Sequence, residues 1–234
     1  MGEIENNKKT AGRLGAASGL ILAILNVWFF VAYILNMPAL NAPWIGIENY
    51  AANFQPQPML AWIIPCLFIG PTVLILMCCL YFWTNKEKHL WSMLAVVFSI
   101  PTAAILSLNY YIQMTVVRYN LAIGQTDGLS LLLYANTYPF TIPGAMEAVG
   151  YGFMCLSFLF ASQIFSKSKL QKWVQWMFIG IALTGSVIFI DPLFRIPMPV
   201  LLVDGLLSGI FLILGPILAA VLFFRSIKKP DASF

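Results

Sequence analysis

Six segments of this chain are apolar over about 20 residues or more, the length that an α-helix needs to cross a bilayer core roughly 30 Å thick. Their hydrophobicity is continuous rather than alternating, unlike the strands of a transmembrane β-barrel. The predicted spans are residues 14–36, 58–83, 90–116, 139–165, 173–191 and 199–225. The sequence therefore predicts an all-α, polytopic transmembrane helical bundle that forms a single domain over residues 1–234.

The composition excludes the other fold classes. Only 9% of the 234 residues are charged and 60% are hydrophobic, whereas an ordinary soluble domain has about 25% charged residues. So few charges cannot cover the surface of a soluble domain. A disordered chain is also excluded, because disorder requires few apolar residues. Lipid is therefore the expected surroundings of most of the surface.

The positions of the cations predict the orientation. With six spans, 11 of the 13 lysines and arginines fall on one side of the membrane. Cytoplasmic loops carry an excess of these residues, so both termini are predicted to be cytoplasmic. A cleaved signal peptide is the alternative for the first span, but that apolar run is too long for one. The clustered cations are Lys8, Lys9, Arg13, Lys86, Lys88, Lys167, Lys169, Lys172, Arg225, Lys228 and Lys229.

Several function classes lack their sequence signals. The chain has one histidine, His89, beside lysines at the start of a span, and its four cysteines all lie in apolar segments. No metal site and no cofactor are expected, since a metal-dependent hydrolase needs several converging ligands. No phosphate-binding loop or nucleophile motif occurs. The scattered cations indicate no nucleic-acid partner.

Two predicted outer loops are rich in features of the membrane interface. The first, about 37–57, contains prolines, asparagines and aromatic residues, and Trp44 and Tyr50 are predicted to lie at headgroup level. The second, 117–138, contains a glycine-flanked turn at 124–128 and then a short apolar stretch, 129–134, that we expect to form an interfacial helix.

Polar residues in the outer halves of the spans indicate a binding site. Acids within spans are rare because they are costly, and they mark functional sites by default. Glu147 and Asp204 lie at similar predicted depths, and Asn109 and Gln113 share one face of the third span. We expect an outward-facing polar pocket. Its candidate residues are Asn109, Gln113, Glu147, Tyr151 and Asp204, with Arg118 or Arg195 at the rim.

Each of these polar groups also has a structural interpretation. An acid can pair with an arginine or an amide and simply stabilise helix packing, and Asp191 with Arg195 fits an interfacial ion pair. The Tyr110-Tyr111 pair is typical of the aromatic belt at the interface. Two small-xxx-small patterns, Gly15-xxx-Gly19 and Gly205-xxx-Gly209, predict close contacts between helices.

Three stretches resemble a pattern in uncharacterised bacterial polytopic membrane proteins of similar length: NYYIQMTVVR at 109–118, GLSL at 128–131 and MEAVGYGFM at 146–154. The resemblance covers the third and fourth spans and their connecting loop. It implies a bacterial plasma membrane protein with no established activity. The residues that carry over are Asn109, Gln113, Arg118 and Glu147.

These observations favour a non-enzymatic membrane protein that binds a small or amphiphilic ligand from the outer side, as a transporter, a substrate-capture subunit or a sensor. One alternative is a lipid-modifying enzyme that uses Glu147 and Asp204 as an acid/base pair, which requires both carboxyls to reach one substrate. The other is an accessory structural subunit. The expected partners are membrane lipid, the ligand, and either another membrane subunit or a second copy of the chain.

Overall fold

The computed structural model describes residues 2–40, 43–134 and 141–228. Within these ranges, six helices are long and apolar enough to cross a membrane, as the sequence predicts. The predicted fold class, a helical bundle, is confirmed. The helices are α1 (Gly2–Leu40), α2 (Ile47–Ala52), α3 (Pro56–Trp83), α4 (His89–Ile112), α5 (Arg118–Ala122), α6 (Ile142–Ser162), α7 (Lys169–Phe194) and α8 (Met198–Lys228), of which α2 and α5 are short.

The six long helices form a closed ring in which each packs against the preceding and the following long helix, and α8 packs back against α1. Helix α3 also touches α6 across the ring, and it is the most buried of the six. The centre of the ring is filled by apolar side chains, including Ile63, Cys66, Leu76 and Phe158.

Both described ends of the chain lie at one end of the bundle. A Cβ added at Gly12 near the start of α1 would lie 3.0 Å from the Ile227 side chain of α8. The Trp83 ring contacts Phe165 and Phe223, with centroids 6.4 and 5.6 Å apart. This end carries most of the cations and is called the cation-rich end below. The opposite end is called the cavity end.

Helices α1, α4 and α7 extend furthest beyond their predicted spans, because hydrophobicity reports the apolar part of a helix and not its ends, whereas α6 ends at Ser162, before the predicted end at residue 165. Helix α1 begins at Gly2 rather than near residue 14. Helix α4 runs through a π-helical turn, Gln113–Val117, into α5. That run ends before Gly124, whose φ of 74° is the left-handed conformation that terminates helices. Helix α7 continues past Pro192 to Phe194.

The apolar stretch at 129–134 is not the interfacial helix that the sequence predicts. It forms a single 3-10 turn, Ser130–Leu132, and its flanking residues Leu129 and Leu133 are buried. Both leucines pack with Val117 and Leu121 against the first loop. The stretch is too short for a stable helix. Its buried leucines pack against protein and not against the membrane interface.

The small-xxx-small patterns mark real helix contacts at three of their four glycines. A Cβ at Gly19 would lie 2.7 Å from the Pro216 carbonyl oxygen, and Cβ atoms at Gly15 and Gly209 would meet the rings of Phe223 and Phe30. These contacts join α1 to α8. Gly205 differs, because a Cβ there would have no described atom within 4 Å.

Candidate functional site

A cavity of about 790 Å³ opens at the cavity end, between α1, α3, the loop that contains α2, and the π-helical turn. None of its described lining residues is charged. Two kinds of side chain dominate its wall. The aromatic residues are Trp44, Tyr50, Phe54, Trp62 and Tyr134, and the carboxamides are Asn36, Asn49, Asn53, Gln55 and Gln113.

The two outer loops build the wall by packing against each other. Gly46 precedes α2 with a φ of 117°, a conformation that only glycine adopts readily. Pro56 then begins α3 at a position where the missing N–H costs nothing. Between them, Trp44 and Tyr50 are in contact, with ring centroids 6.0 Å apart. They therefore pack within a loop cluster and line the cavity.

Gln113 begins the π-helical turn and contributes to the wall. Such turns are frequent at functional sites. The side chain is fully buried, and its Nε2 donates a hydrogen bond of 2.8 Å to the Leu132 carbonyl oxygen. Its Oε1 has no hydrogen-bond partner among the described residues, and neither has the Tyr134 hydroxyl. Two buried polar atoms at the cavity wall are thus unpaired.

The floor of the cavity is aromatic. The Trp62 ring lies 5.1 Å from that of Tyr134 and 6.4 Å from that of Tyr110. The rings of Tyr110 and Tyr134 are nearly parallel, with an interplanar angle of 20°. Tyr33 adds an edge contact to Trp62 from α1. These rings separate the cavity from the interior of the bundle.

Glu147 lies behind this floor. Its carboxyl oxygen Oε1 accepts a 2.8 Å hydrogen bond from the Tyr110 hydroxyl. Tyr110 is fully buried, whereas Tyr111 is 57% exposed, so only the second tyrosine fits the predicted aromatic belt. One residue before, Asn109 donates from Nδ2 to the Pro143 carbonyl oxygen at 3.2 Å. These two contacts join α4 to the first turns of α6.

The predicted site residues thus divide between several places. Of the seven residues predicted for the pocket or its rim, Gln113 is the one among the described lining residues of the cavity. Asn109, Glu147 and the buried Tyr151 lie between α4 and α6. Arg118 donates from Nε to the Met114 carbonyl oxygen and lies over the Tyr119 ring. It makes no described contact with Glu147.

Asp204 lies on α8, two helices along the ring from α6. It is 8% exposed on α8, and its described electrostatic neighbour is Cys155. The described neighbours of Glu147 are instead Tyr110, Tyr151 and Cys66. Cys155 lies two turns from Glu147 on α6 and also neighbours Tyr151, so Asp204 approaches the helix that carries Glu147, but no described contact joins the two carboxyls.

The predicted interfacial pair at the end of α7 has a capping geometry. Asp191 accepts a hydrogen bond from the Ile196 backbone N–H at 2.9 Å through its side chain. Its carbonyl oxygen accepts one from the Arg195 N–H at 2.8 Å. Arg195 has a φ of 52°. Asp191, the last residue of the predicted span, thus caps the helix, which ends three residues later at Phe194.

The residues missed by sequence reasoning are mostly the aromatic ones of the wall and floor. In the sequence, the first loop is recognisable only as a segment rich in proline, asparagine and aromatic residues, which is also typical of an interfacial loop. Trp62 and Tyr134 gave no signal beyond their residue type. An aromatic residue followed by several carboxamides in one outer loop is the pattern that would have indicated a cavity wall.

Comparisons with protein-family models, with curated proteins and with solved structures find no significant match for this chain.

Proposed function

We propose that this protein binds a small ligand in the cavity from the outer side of a bacterial plasma membrane, as a transporter, a substrate-capture subunit or a sensor. The observation that carries the proposal is the unpaired Gln113 Oε1 at the wall of a 790 Å³ cavity. Leaving such a buried acceptor unpaired costs about 1–3 kcal/mol. A ligand that donates a hydrogen bond to it would recover part of that cost.

The orientation of the cavity follows from the charges. The cations gather at the cation-rich end, and the positive-inside rule assigns that end to the cytoplasm. The cavity end then faces outward. Its volume lies within the range of about 300–1,000 Å³ that is usual for small-molecule sites, and a mainly apolar wall with a few polar groups is also usual there.

A purely structural role is less consistent with the geometry. In an accessory subunit without a ligand, we would expect the polar groups of the outer layer to be paired with one another and the space between them to be filled. Instead, Gln113 Oε1 and the Tyr134 hydroxyl, both on side chains that line the cavity, are unpaired among the described residues. The aromatic floor of the cavity separates it from the interior of the bundle. A transporter would have to open this boundary to pass its substrate.

Cysteine labelling tests the orientation. Asn53 is exposed and lines the cavity, so Asn53→Cys is expected to react with a membrane-impermeant maleimide on intact cells. Lys86→Cys, exposed at the cation-rich end, is the matched control and should react only after permeabilisation. The parent chain, whose four cysteines all lie within spans, gives the background. Labelling of Lys86→Cys alone on intact cells would invert the proposed orientation.

Filling the cavity tests binding. Met59 lines the cavity, so Met59→Trp should remove any stabilisation that a cavity-bound compound gives to the protein in thermal unfolding. Met93→Trp is the matched control, because Met93 is 46% exposed on α4 and a larger side chain has room there. We expect compounds from a panel of alcohols, sugars, amino acids and naphthalene derivatives to raise the Tm of the parent and of Met93→Trp only. A panel without any such compound would contradict the proposed function.

A further inference from the structure

The absence of charged side chains among the described lining residues of the cavity restricts the charge of the ligand. No Asp, Glu, Lys, Arg or His occurs among its described lining residues, and burial raises the pKa of the Tyr50 hydroxyl above its ordinary value of 10.0. An ion that entered would lose its hydration without gaining an opposite charge, which is strongly unfavourable. Glu48, on α2 between the lining residues Gly46 and Asn49, is exposed, and Glu147 behind the floor is engaged by Tyr110. The cavity therefore suits an uncharged compound.

The unpaired atoms define the polar group that the ligand must carry. The amide nitrogen of Gln113 is already used by Leu132, so the remaining atom, Oε1, can only accept. The ligand must donate a hydrogen bond to it. The Tyr134 hydroxyl can both donate and accept. A hydroxyl group on the ligand can satisfy either atom, whereas an ether or a carbonyl cannot donate to Gln113.

The shape of the wall indicates the body of the ligand. The rings of Trp44, Tyr50 and Phe54 follow one another at interplanar angles of 38° and 32°, with centroids 6.0 and 6.4 Å apart. Such successive tilted rings form a curved aromatic surface. Trp62 and Tyr134 close it from below. Flat apolar rings pack well against surfaces of this kind through offset and edge contacts.

Access to the unpaired atoms requires a small movement. Both atoms are covered in this structure. Tyr134 as a whole is only partly buried, so a rotation of its side chain is the simplest way to open them to the cavity. Gln113 is held by Leu132 and by the helix turn, and is expected to stay in place.

We infer that the ligand is an uncharged ring compound bearing a hydrogen-bond donor, bound with its ring against the aromatic wall and its donor on Gln113 Oε1. This inference rests on the proposed function, since it names the class of ligand for the same cavity.

Four naphthalene probes of similar size test it: 2-naphthol, 2-methoxynaphthalene, 2-naphthoate and 2-naphthylmethylammonium. Their binding to the full chain in lipid nanodiscs is measured by equilibrium dialysis, with empty nanodiscs correcting for partition into lipid. We expect 2-naphthol to bind about tenfold more tightly than its methyl ether, the ratio given by roughly 1.4 kcal/mol for one recovered hydrogen bond. The two ions should bind more weakly than 2-naphthol.

Two variants connect the preference to the named atoms. Tyr134→Phe removes only an unpaired hydroxyl, so the empty protein should keep or raise its Tm and the preference for 2-naphthol over the ether should persist, whereas its loss would place the donor on Tyr134 instead of Gln113. Gln113→Met removes the acceptor and should abolish that preference. Because Gln113→Met also loses the bond to Leu132, its Tm is measured first, and Gln113→Asn, which withdraws the same oxygen by one methylene group, keeps the test decisive if Gln113→Met fails to fold.

The outcomes separate the inference from the proposed function. Equal binding of 2-naphthol and its ether that is lost in Met59→Trp would overturn the donor requirement and leave the cavity as a ligand site. Tightest binding of the ammonium probe, also lost in Met59→Trp, would instead indicate an aromatic site for cations. Binding that Met59→Trp leaves unchanged for every probe would contradict the proposed function itself.

Discussion

Replacing Gly19 with alanine is expected to lower the free energy of unfolding by about 1–3 kcal/mol, the usual cost of overpacking. The new Cβ would lie 2.7 Å from the Pro216 carbonyl oxygen of α8. A backbone atom cannot rotate away as a side chain can, so the two helices must separate. The measurement is unfolding of the detergent-solubilised protein in increasing SDS.

Gly205→Ala is the matched control for this prediction. It adds the same methyl group to the same kind of small-xxx-small pattern, but no described atom lies within 4 Å of its position. Both variants gain the higher helix propensity of alanine, about 1 kcal/mol. The difference between them therefore isolates the steric clash. Equal stabilities would show that α1 and α8 do not approach as closely as the structure has them.

Replacing Glu147 with leucine is expected to cost about 1–3 kcal/mol, because it removes the carboxyl acceptor of the fully buried Tyr110 hydroxyl. Glu147→Gln keeps a carbonyl oxygen at the same position and should cost less than about 1 kcal/mol on the same scale. The measurement is the free energy of unfolding of both variants in the same detergent series.

A double-mutant cycle identifies the partner. Tyr110→Phe removes the donor, so the effect of Glu147→Leu should be smaller in the Tyr110→Phe background than in the parent. Residues in direct hydrogen-bond contact give interaction energies of about 0.5–3 kcal/mol. Additive effects would mean that the two side chains do not share the bond of 2.8 Å.

The sequence was sufficient to predict the helices and several of the buried positions. Runs of apolar residues locate spans whatever they pack against, and at helical spacing along α6 Gly150, Tyr151, Met154 and Ser157 are all buried. Gln113 was also among the candidates, because it shares one face of the third span with Asn109. These are local properties that a helical period reveals.

The arrangement around the cavity could not be predicted in the same way. Depth along a helix follows from counting residues, which is why Glu147 and Asp204 were expected in one layer. The direction in which each points depends on which helices are neighbours, and Glu147 faces Tyr110 while Asp204 lies near Cys155. The part of the cavity wall that comes from the loops depends on packing between the segment around Trp44 and the segment around Leu129. These two segments are far apart in the sequence, and no repeating pattern of residues relates one to the other.

The ring of helices also implies an order of assembly. Five of its six main interfaces join consecutive spans, and the sixth joins α1 to α8. Consecutive spans can pair as soon as each is made, since chains fold from the N-terminus during synthesis. The face of α1 with Gly15 and Gly19 must wait in lipid until α8 is inserted. The interface between α1 and α8 thus forms last, when α8 is inserted. A chain arrested before Met198 would form an open arc of helices rather than a ring.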